Sequence, residues 1–328
     1  MKVLFVGQGF WVRRLASLLG DYAAESIEPV VVGIPAVPKL AALLDLFRGQ
    51  VGVRIGFRPG SPTLRGIAFD AIWNLRSFVK SGSPTIYYWI GSDVMEALQD
   101  HHNGNHTRYF EKSLAADHIA GAPWLQKELE VMGVKSQCIV FPERLPRVSL
   151  IPSLPEEFCV MSYVPDRRHG MYGGEQIVAA AKALPQIRFE ITGGNGSWAG
   201  QVPNNVKFLG WVEPLDEIYA HSSVVLRILE HDGIGATVKE ALMYGRHVIC
   251  SYTLPFTSTV RFGDTKSLID EITRLKSLHD SGSLESNLPG HEFALSQWDE
   301  KMLVQELVRF VETIQIRKDQ RQVQFREK

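Results

Sequence analysis

The chain has 328 residues, room for about two domains of roughly 150 residues each. Hydrophobic residues make up 45% and charged residues 22%, which supports packed cores and excludes a disordered or fibrous chain. The formal net charge is −1, which excludes nucleic-acid binding by bulk electrostatics, although residues 1–150 are net positive and the remainder net negative. No apolar run approaches the length a membrane span requires. The start, KVLFVGQGF, runs into Arg13 and Arg14 rather than a small-residue cleavage site and does not read as a signal peptide. A cytoplasmic protein is expected.

In chain order, KVLFV reads as a buried strand, GQGF as a turn, and WVRRLASLLG as a helix ended by Gly20. EPVVVGI is a second strand. PKLAALLDLFRG has Leu40, Leu43, Leu44 and Phe47 at helical spacing. FDAIWNL and TIYYWI read as strands, APWLQKELEVMG as a helix, and QCIVF as the strand after it. The three prolines of LPRVSLIPSLPEE suit a linker. Then the alternation restarts: EFCVMSYV strand, EQIVAAAKAL helix, IRFEITGG strand and glycine turn. VKFLGWV, VVLRIL and HVICSY are strands, with TVKEALMYG a helix between the last two. HEFALSQWDEKMLVQELVRFVETIQI reads as one long helix. Strands alternating with helices predict two α/β domains with parallel sheets, their ligands beyond the carboxyl ends of the strands.

The most informative stretch is VVLRILEHDGIGATVKEALMYGRHVICS, residues 224–251. Gly233 and Gly235 let backbone approach a ligand closely, and the amides of Ile234 to Ala236 open a helix, an anion site by free N–H groups and helix dipole together. Asp232 lies before the loop and Glu240 inside the helix. A carboxylate beside a phosphate site makes sense if it accepts hydrogen bonds from a sugar or ribose diol. As ordinary structure, the glycines would be a turn and Glu240 an exposed helix residue.

This segment resembles the donor motif of the large retaining glycosyltransferase family, family 4, that contains sucrose synthases and many bacterial polysaccharide enzymes. The motif is an acid, a G-x-G turn, a second acid eight residues after the first, then A-x-x-x-G and an apolar strand, here Asp232, Gly233-Ile234-Gly235, Glu240, Ala241 to Gly245 and His247 onward. The HDG variant resembles an exopolysaccharide subgroup. The family usually has Glu at the first acid, so Asp232 is a departure. The resemblance implies a GT-B fold: residues 1–150 as an acceptor-side Rossmann-like domain, residues 151–304 as the nucleotide-sugar domain facing it across a cleft, and residues 305–328 as a helix and tail crossing back. It implies that Asp232 contacts the transferred sugar and Glu240 the nucleotide ribose. TGGNG, with Gly194, takes the place of a strand-to-loop glycine turn. VKFLGWV, with Trp211 and Val212, matches the strand that holds the base. WIGSDV, with Asp93, resembles a loop facing the cleft, and Gly9 in VGQGF the glycine turn under donor or acceptor. A dinucleotide G-x-G-x-x-G fails at Val12.

The family places Arg and Lys after the first strand of its second domain to neutralise the diphosphate. Here those positions read Tyr163 and His169, leaving Arg167 and Arg168 in the same loop, and Arg227 at a later strand end, as the candidate cations. A cation is needed because the leaving diphosphate gains charge in the transition state. No cofactor or metal is implied; a nucleoside-diphosphate sugar, UDP-sugar foremost, is the co-substrate, and a carbohydrate or lipid-linked glycan the acceptor. The three cysteines sit in apolar runs and read as buried thiols. His101, His102, His106 and His118 read as surface or structural. Residues 46–80 hold six cations (Arg48, Arg54, Arg58, Arg65, Arg76, Lys80) against Asp70 alone. They read as an acceptor loop meeting an anionic membrane surface, or as a solvated loop, or as a strand pair on the first sheet. Retaining sugar transfer is the resulting expectation; a non-catalytic partner on the same fold, or an epimerase, is the alternative.

Overall fold

The computed structural model describes residues 1–33, 47–56, 58–61, 63–80, 83–105 and 107–326, with backbone alone at 64, 65 and 322–326. The chain forms two compact units, Met1–Arg144 with Glu300–Lys328, and Leu145–Asp299.

The first unit is built on β1 (Lys2–Gly7), β2 (Glu28–Gly33), β3 (Val51–Ile55), β4 (Thr85–Trp89), β5 (Asp117–Ala120) and β6 (Gln137–Cys138), all parallel in the order β2-β1-β3-β4-β5-β6. The pleat sends Val3 and Phe5 to one face, where Leu15, Leu18 and Leu19 of the Gly9–Tyr22 helix cover them. Leu4 and Val6 face the other side, against Val32 and Trp73. The Glu300–Arg326 helix returns to this unit. Its Val304, Leu307, Val308, Val311 and Ile314 complete the first core, Tyr22 donates to Glu300 at 3.1 Å, and Arg317 pairs with Asp117 at 2.9 Å.

The second unit repeats the logic with β7 (Cys159–Tyr163), β8 (Arg188–Thr192), β9 (Val206–Gly210), β10 (Val224–Arg227), β11 (His247–Cys250) and β12 (Ser258–Thr259), ordered β12-β11-β10-β7-β8-β9 and parallel. Its core sets Val160, Phe189, Val224 and Ile249 against Ile177 and Ala181 of the Gly174–Ala183 helix and Leu268 and Ile272 of the Thr265–Asp280 helix. Among the described residues no helix is long and apolar enough to cross a membrane.

Several expectations are corrected. FDAIWNL is not a strand but the middle of a helix, Leu64–Val79, capped by Thr63, whose side chain accepts from the Gly66 amide. That helix faces inward with Gly66, Asp70, Trp73 and Arg76, while Ile67, Leu75 and Phe78 are exposed, so polarity runs against the usual amphipathic pattern and hides the helical period. Residues 46–80 therefore contain a core strand and a helix, not a basic loop: Arg54 and Asp70 form a buried pair at 2.6 Å, Arg76 is fully buried, and Arg58 pairs with Glu96 and Asp100. Arg54, Arg58 and Arg76, three of the six cations, are committed to the fold and are not available to an acceptor or a membrane surface. The expected single C-terminal helix breaks at Trp298 and Asp299 into Leu288–Gln297 and Glu300–Arg326. Gly20 lies inside its helix, which continues to Tyr22, and QCIVF pairs only at Gln137–Cys138. Cys159 and Cys250 are buried thiols but Cys138 is only half-buried. The core of the helix expected in PKLAALLDLFRG, with Leu40, Leu43 and Leu44, lies outside the described residues, as do Phe57, Pro62, His106 and the Arg65 side chain.

Candidate active site

In the second sheet the chain starts at β7, runs outward to β8 and β9, then returns to β10 on the other side of β7. The loops after β7 and β10 thus flank the point where the strand order reverses, where open parallel sheets bind ligands. These two loops meet. The Glu230 amide donates to the Met171 carbonyl at 3.0 Å, and a Cβ on Gly173 would stand 2.8 Å from the Ile228 carbonyl oxygen, a position where only glycine fits at φ 61°.

Beyond β10 the loop carries the acid and the glycines into a helix. Arg227, at the strand end, donates from Nε and Nη2 to one oxygen of Asp232, at 3.0 and 2.7 Å. Arg227 is 9% exposed and Asp232 18%, so the pair is sheltered without being sealed. Burial by itself lowers the Arg227 pKa; the adjoining Asp232 carboxylate, with the oxygens of Tyr172 and Tyr252, more than reverses this and keeps the guanidinium charged. A Cβ on Gly235 would lie 2.8 Å from Arg227 Nε, so a larger residue here would push the guanidinium off Asp232. The Gly235 amide donates to the Tyr252 hydroxyl at 3.4 Å, and Gly235 caps the Ala236–Met243 helix. That helix aims the amides of its first turn, beginning with Ala236, out of its positive end. Gly233 is buried and Ile234 half-buried on the way in. One turn along, Glu240 accepts from the hydroxyl of the buried Tyr219 at 2.7 Å.

The loop after β7 supplies the other cations. Asp166–Arg168 is a short 3-10 turn on which Arg167 and Arg168 are exposed. Tyr172 sits between two guanidinium groups, with Arg168 5.9 Å and Arg227 5.0 Å from its ring centre. Its ring meets Tyr163 edge-on at 5.8 Å, and Tyr163 meets Trp211 at 6.4 Å. Trp211 is 66% exposed, Val212 half-buried. His169 stacks flat on Trp198 at 4.7 Å, its Nδ1 2.8 Å from Glu175. Gly194 lies against the turn: a Cβ there would be 2.6 Å from an Asp166 oxygen. The Asp166 carboxylate accepts from the Asn195 and Gly196 amides, both at 2.9 Å, and ties the loops after β7 and β8 together.

Thus Arg227, Asp232, Gly233, Ile234, Gly235, Ala236, Glu240, Arg167, Arg168, His169, Gly194, Trp211 and Val212 all lie in the second unit, on or just beyond the carboxyl ends of β7 to β10. Gly9 and Asp93 belong to the first unit. Gly9 opens the helix after β1, where a Cβ would meet the Arg13 guanidinium at 2.8 Å. Asp93 is buried and accepts from the amides of Ile90, Gly91 and Val94 at 2.8–3.3 Å, a turn-holding role in the fold; burial raises its pKa to about 6 despite those bonds. Sequence reasoning passes over Tyr172, Tyr219, Tyr252 and Asp166. Only Asp166 carried a signal, an acid directly before two arginines on a strand-end loop. Among the described residues no group of three or more His, Cys, Asp or Glu is placed to hold a metal ion.

Residues 173–277 match the family model described as Glycosyl transferases group 1. No curated protein sequence matches the chain. HepE of Anabaena, solved in complex with UDP-glucose, is similar in structure at 14% identity and a TM-score of 0.69, over 95% of this chain and 100% of that one. So is sucrose-phosphate synthase of Thermosynechococcus elongatus, at 14% identity and a TM-score of 0.68, over 96% and 99%. A glycosyltransferase of Rickettsia africae follows at 10% identity and a TM-score of 0.61, over 95% and 98%. The fold is GT-B.

Proposed function

We propose that the chain is a glycosyltransferase of retaining family 4, in its exopolysaccharide-type subgroup. It moves a sugar from a nucleoside-diphosphate sugar, UDP-sugar foremost, to a carbohydrate or lipid-linked glycan in polysaccharide or glycoconjugate biosynthesis. The observation that carries this reading is the convergence at the β7/β10 switch point of a charged Arg227–Asp232 pair, a glycine-led helix N-terminus and Glu240, inside the segment that matches the group 1 model. The UDP-glucose complex of HepE supports the choice of donor class.

In this reading the diphosphate lies on the first amides of the Ala236–Met243 helix, with Arg227 and Arg168 beside it. As the sugar–phosphate bond lengthens, charge grows on the leaving diphosphate, and these fixed dipoles and cations act where it grows. Asp232 accepts from hydroxyls of the transferred sugar and Glu240 from the ribose diol. Trp211 and Val212 adjoin the base, and no metal takes part.

The test is thermal unfolding with a panel of UDP-, GDP- and ADP-sugars, followed by release of the nucleoside diphosphate. A donor at about 100 times its Kd adds about 2.7 kcal/mol of stability. One nucleotide class is expected to shift the transition and to be turned over; no shift with any member would overturn the reading. The Arg227–Asp232 contact favours one second reading, a non-catalytic partner in which the pair is purely structural. Donor binding without turnover, on any acceptor of the proposed classes, would select it.

A further inference from the structure

We propose that Tyr219 is a positioning residue that sets the Glu240 carboxylate for its ligand. The inference rests on the donor-site reading of Glu240. Tyr219 belongs to the short Asp216–Ala220 helix, on the other side of β10 in sequence from the glycine loop and 21 residues before Glu240, and is 1% exposed. Its hydroxyl reaches Glu240 Oε2 at 2.7 Å. A buried hydroxyl needs a partner, and a carboxylate is a strong one.

The arrangement fixes direction as well as distance. The Tyr219 ring stacks on Tyr244 at 5.5 Å and 18°, and Tyr244 in turn donates from its own hydroxyl to Asp216, the first residue of the Asp216–Ala220 helix. Tyr244 follows the Ala236–Met243 helix that carries Glu240. Two tyrosines thereby cross-connect the two helices, one hydroxyl to each acid. Burial, and then the charge of Glu240, raise the Tyr219 pKa well above that of an ordinary phenol. It stays a donor throughout the working pH range, so Glu240 is always offered a proton and is always held as the acceptor. An ionised carboxylate has about four acceptor positions, so one bond to a phenol leaves capacity for a diol. A glutamate swinging freely on a helix surface would have to be ordered by the ligand at each binding event; here the ordering is built in before binding.

Tyr219→Phe removes one oxygen and keeps the stacked ring. Three measurements decide. Calorimetric titration with UDP and a UDP-sugar is expected to show Kd rising about 5- to 10-fold in Tyr219→Phe, with little change in unfolding. The Tyr219 hydroxyl also bonds the Thr237 side chain. Glu240→Gln alone is expected to weaken binding more, and the double variant no further than Glu240→Gln, because it is through the carboxylate that the phenol acts on the ligand. A carbon-13 carboxyl titration of the ligand-free protein is expected to show the Glu240 pKa rising in Tyr219→Phe, since a donor to the charged form has gone. Additive losses in the double variant, an unmoved Glu240 titration, or an unchanged Kd in Tyr219→Phe would each overturn the inference while leaving the donor site standing. If the unaltered protein binds no nucleotide, the donor reading and this inference fall together.

Discussion

Each unit holds an arginine–aspartate pair near the middle of its parallel sheet, and the two pairs have opposite fates. Arg54 sits within β3 and meets Asp70 at 2.6 Å with side-chain exposures of 1% and 2%. The rings of Phe69, Trp73 and Tyr87 surround the guanidinium at 4.8–5.6 Å, and the Gly60 amide donates to the second Asp70 oxygen at 2.7 Å. Arg227 stands at the very end of β10, and its partner Asp232 belongs to a loop. The same two residue types are locked under aromatics in one sheet and presented at a strand end in the other. The strand positions differ by a single residue, Arg54 being the last but one of β3 and Arg227 the last of β10. What separates the pairs is that Asp70 comes from a helix packed over the sheet and seals its arginine, whereas Asp232 comes from an open loop.

The comparison is broken most directly at Arg54. Arg54→Met leaves Asp70 buried without its counter-ion, and breaking a buried pair in this way costs about 3–5 kcal/mol. Urea unfolding of the whole chain measures it. A loss below about 1 kcal/mol, the range of an exposed pair, would show that the burial is not what separates the two pairs.

Asp232→Asn tests the other side. Loss of an interaction aimed at the transition state lowers turnover by about 10²- to 10³-fold. Binding of the free nucleoside diphosphate should change far less, and the loss in unfolding free energy should stay below that of Asp70→Asn. Equal falls in turnover and in nucleoside diphosphate affinity would mean that Asp232 serves the nucleotide rather than the sugar.

Glu240→Gln keeps shape and removes charge. Donor affinity is expected to fall by about 1.5–3 kcal/mol, the range for hydrogen bonds to a charged group. Titration calorimetry on the folded variant reads this, and an unaltered affinity would remove Glu240 from the site.

The smallest net effect is in pH. In the first unit, His118 is buried, accepts from the Trp89 ring N–H at 3.1 Å through Nδ1 and lies 2.9 Å from the Ser113 carbonyl through Nε2; burial lowers its pKa from 6.5 to about 4. Between those values the unfolded chain binds a proton that the folded chain does not, so stability rises with pH. Asp93 moves the other way, from 3.8 to about 6: there the folded chain keeps a proton that the unfolded chain has released, and stability falls as pH rises. The two slopes oppose each other between about pH 4 and 6, each worth at most about 3 kcal/mol at 1.36 kcal/mol per pKa unit. Asp93→Asn should therefore lose stability on acidification from pH 6.5 to 4, and His118→Gln should gain it from pH 6 to 4. Parallel slopes in the two variants would refute the assignment.

The second unit was the more legible in sequence. Its strands are short apolar runs, and the spacing of Asp232, Gly233, Gly235 and Glu240 is local, so the loop–helix site can be seen without knowing what packs on it. Arg227 was nameable as a strand-end cation, but its partnership with Asp232 needed the geometry. Tyr219 and Tyr172 could not be found, because what marks them is contact with residues more than twenty and fifty positions away, Glu240 and Arg227. The first unit misled for the same reason. Arg54 interrupts the VGVRI run and its neutralising Asp70 lies on another element, so a local window sees surplus charge where the fold has a closed pair. In the Leu64–Val79 helix, an inward Arg76 and an outward Phe78 invert the pattern on which helix reading depends.

The Glu300–Arg326 helix also orders events during synthesis. Its Val304, Leu307 and Val311 are part of the core that covers Leu15, Leu18 and Leu19, yet they leave the ribosome only after the whole of Leu145–Asp299. Nascent domains generally fold as units from the N-terminus onward. Here the second unit can close while the first still has an uncovered apolar face on its Gly9–Tyr22 helix, and the first is sealed last. A chain stopped at Asp299 would keep a finished second unit and a first unit open to aggregation.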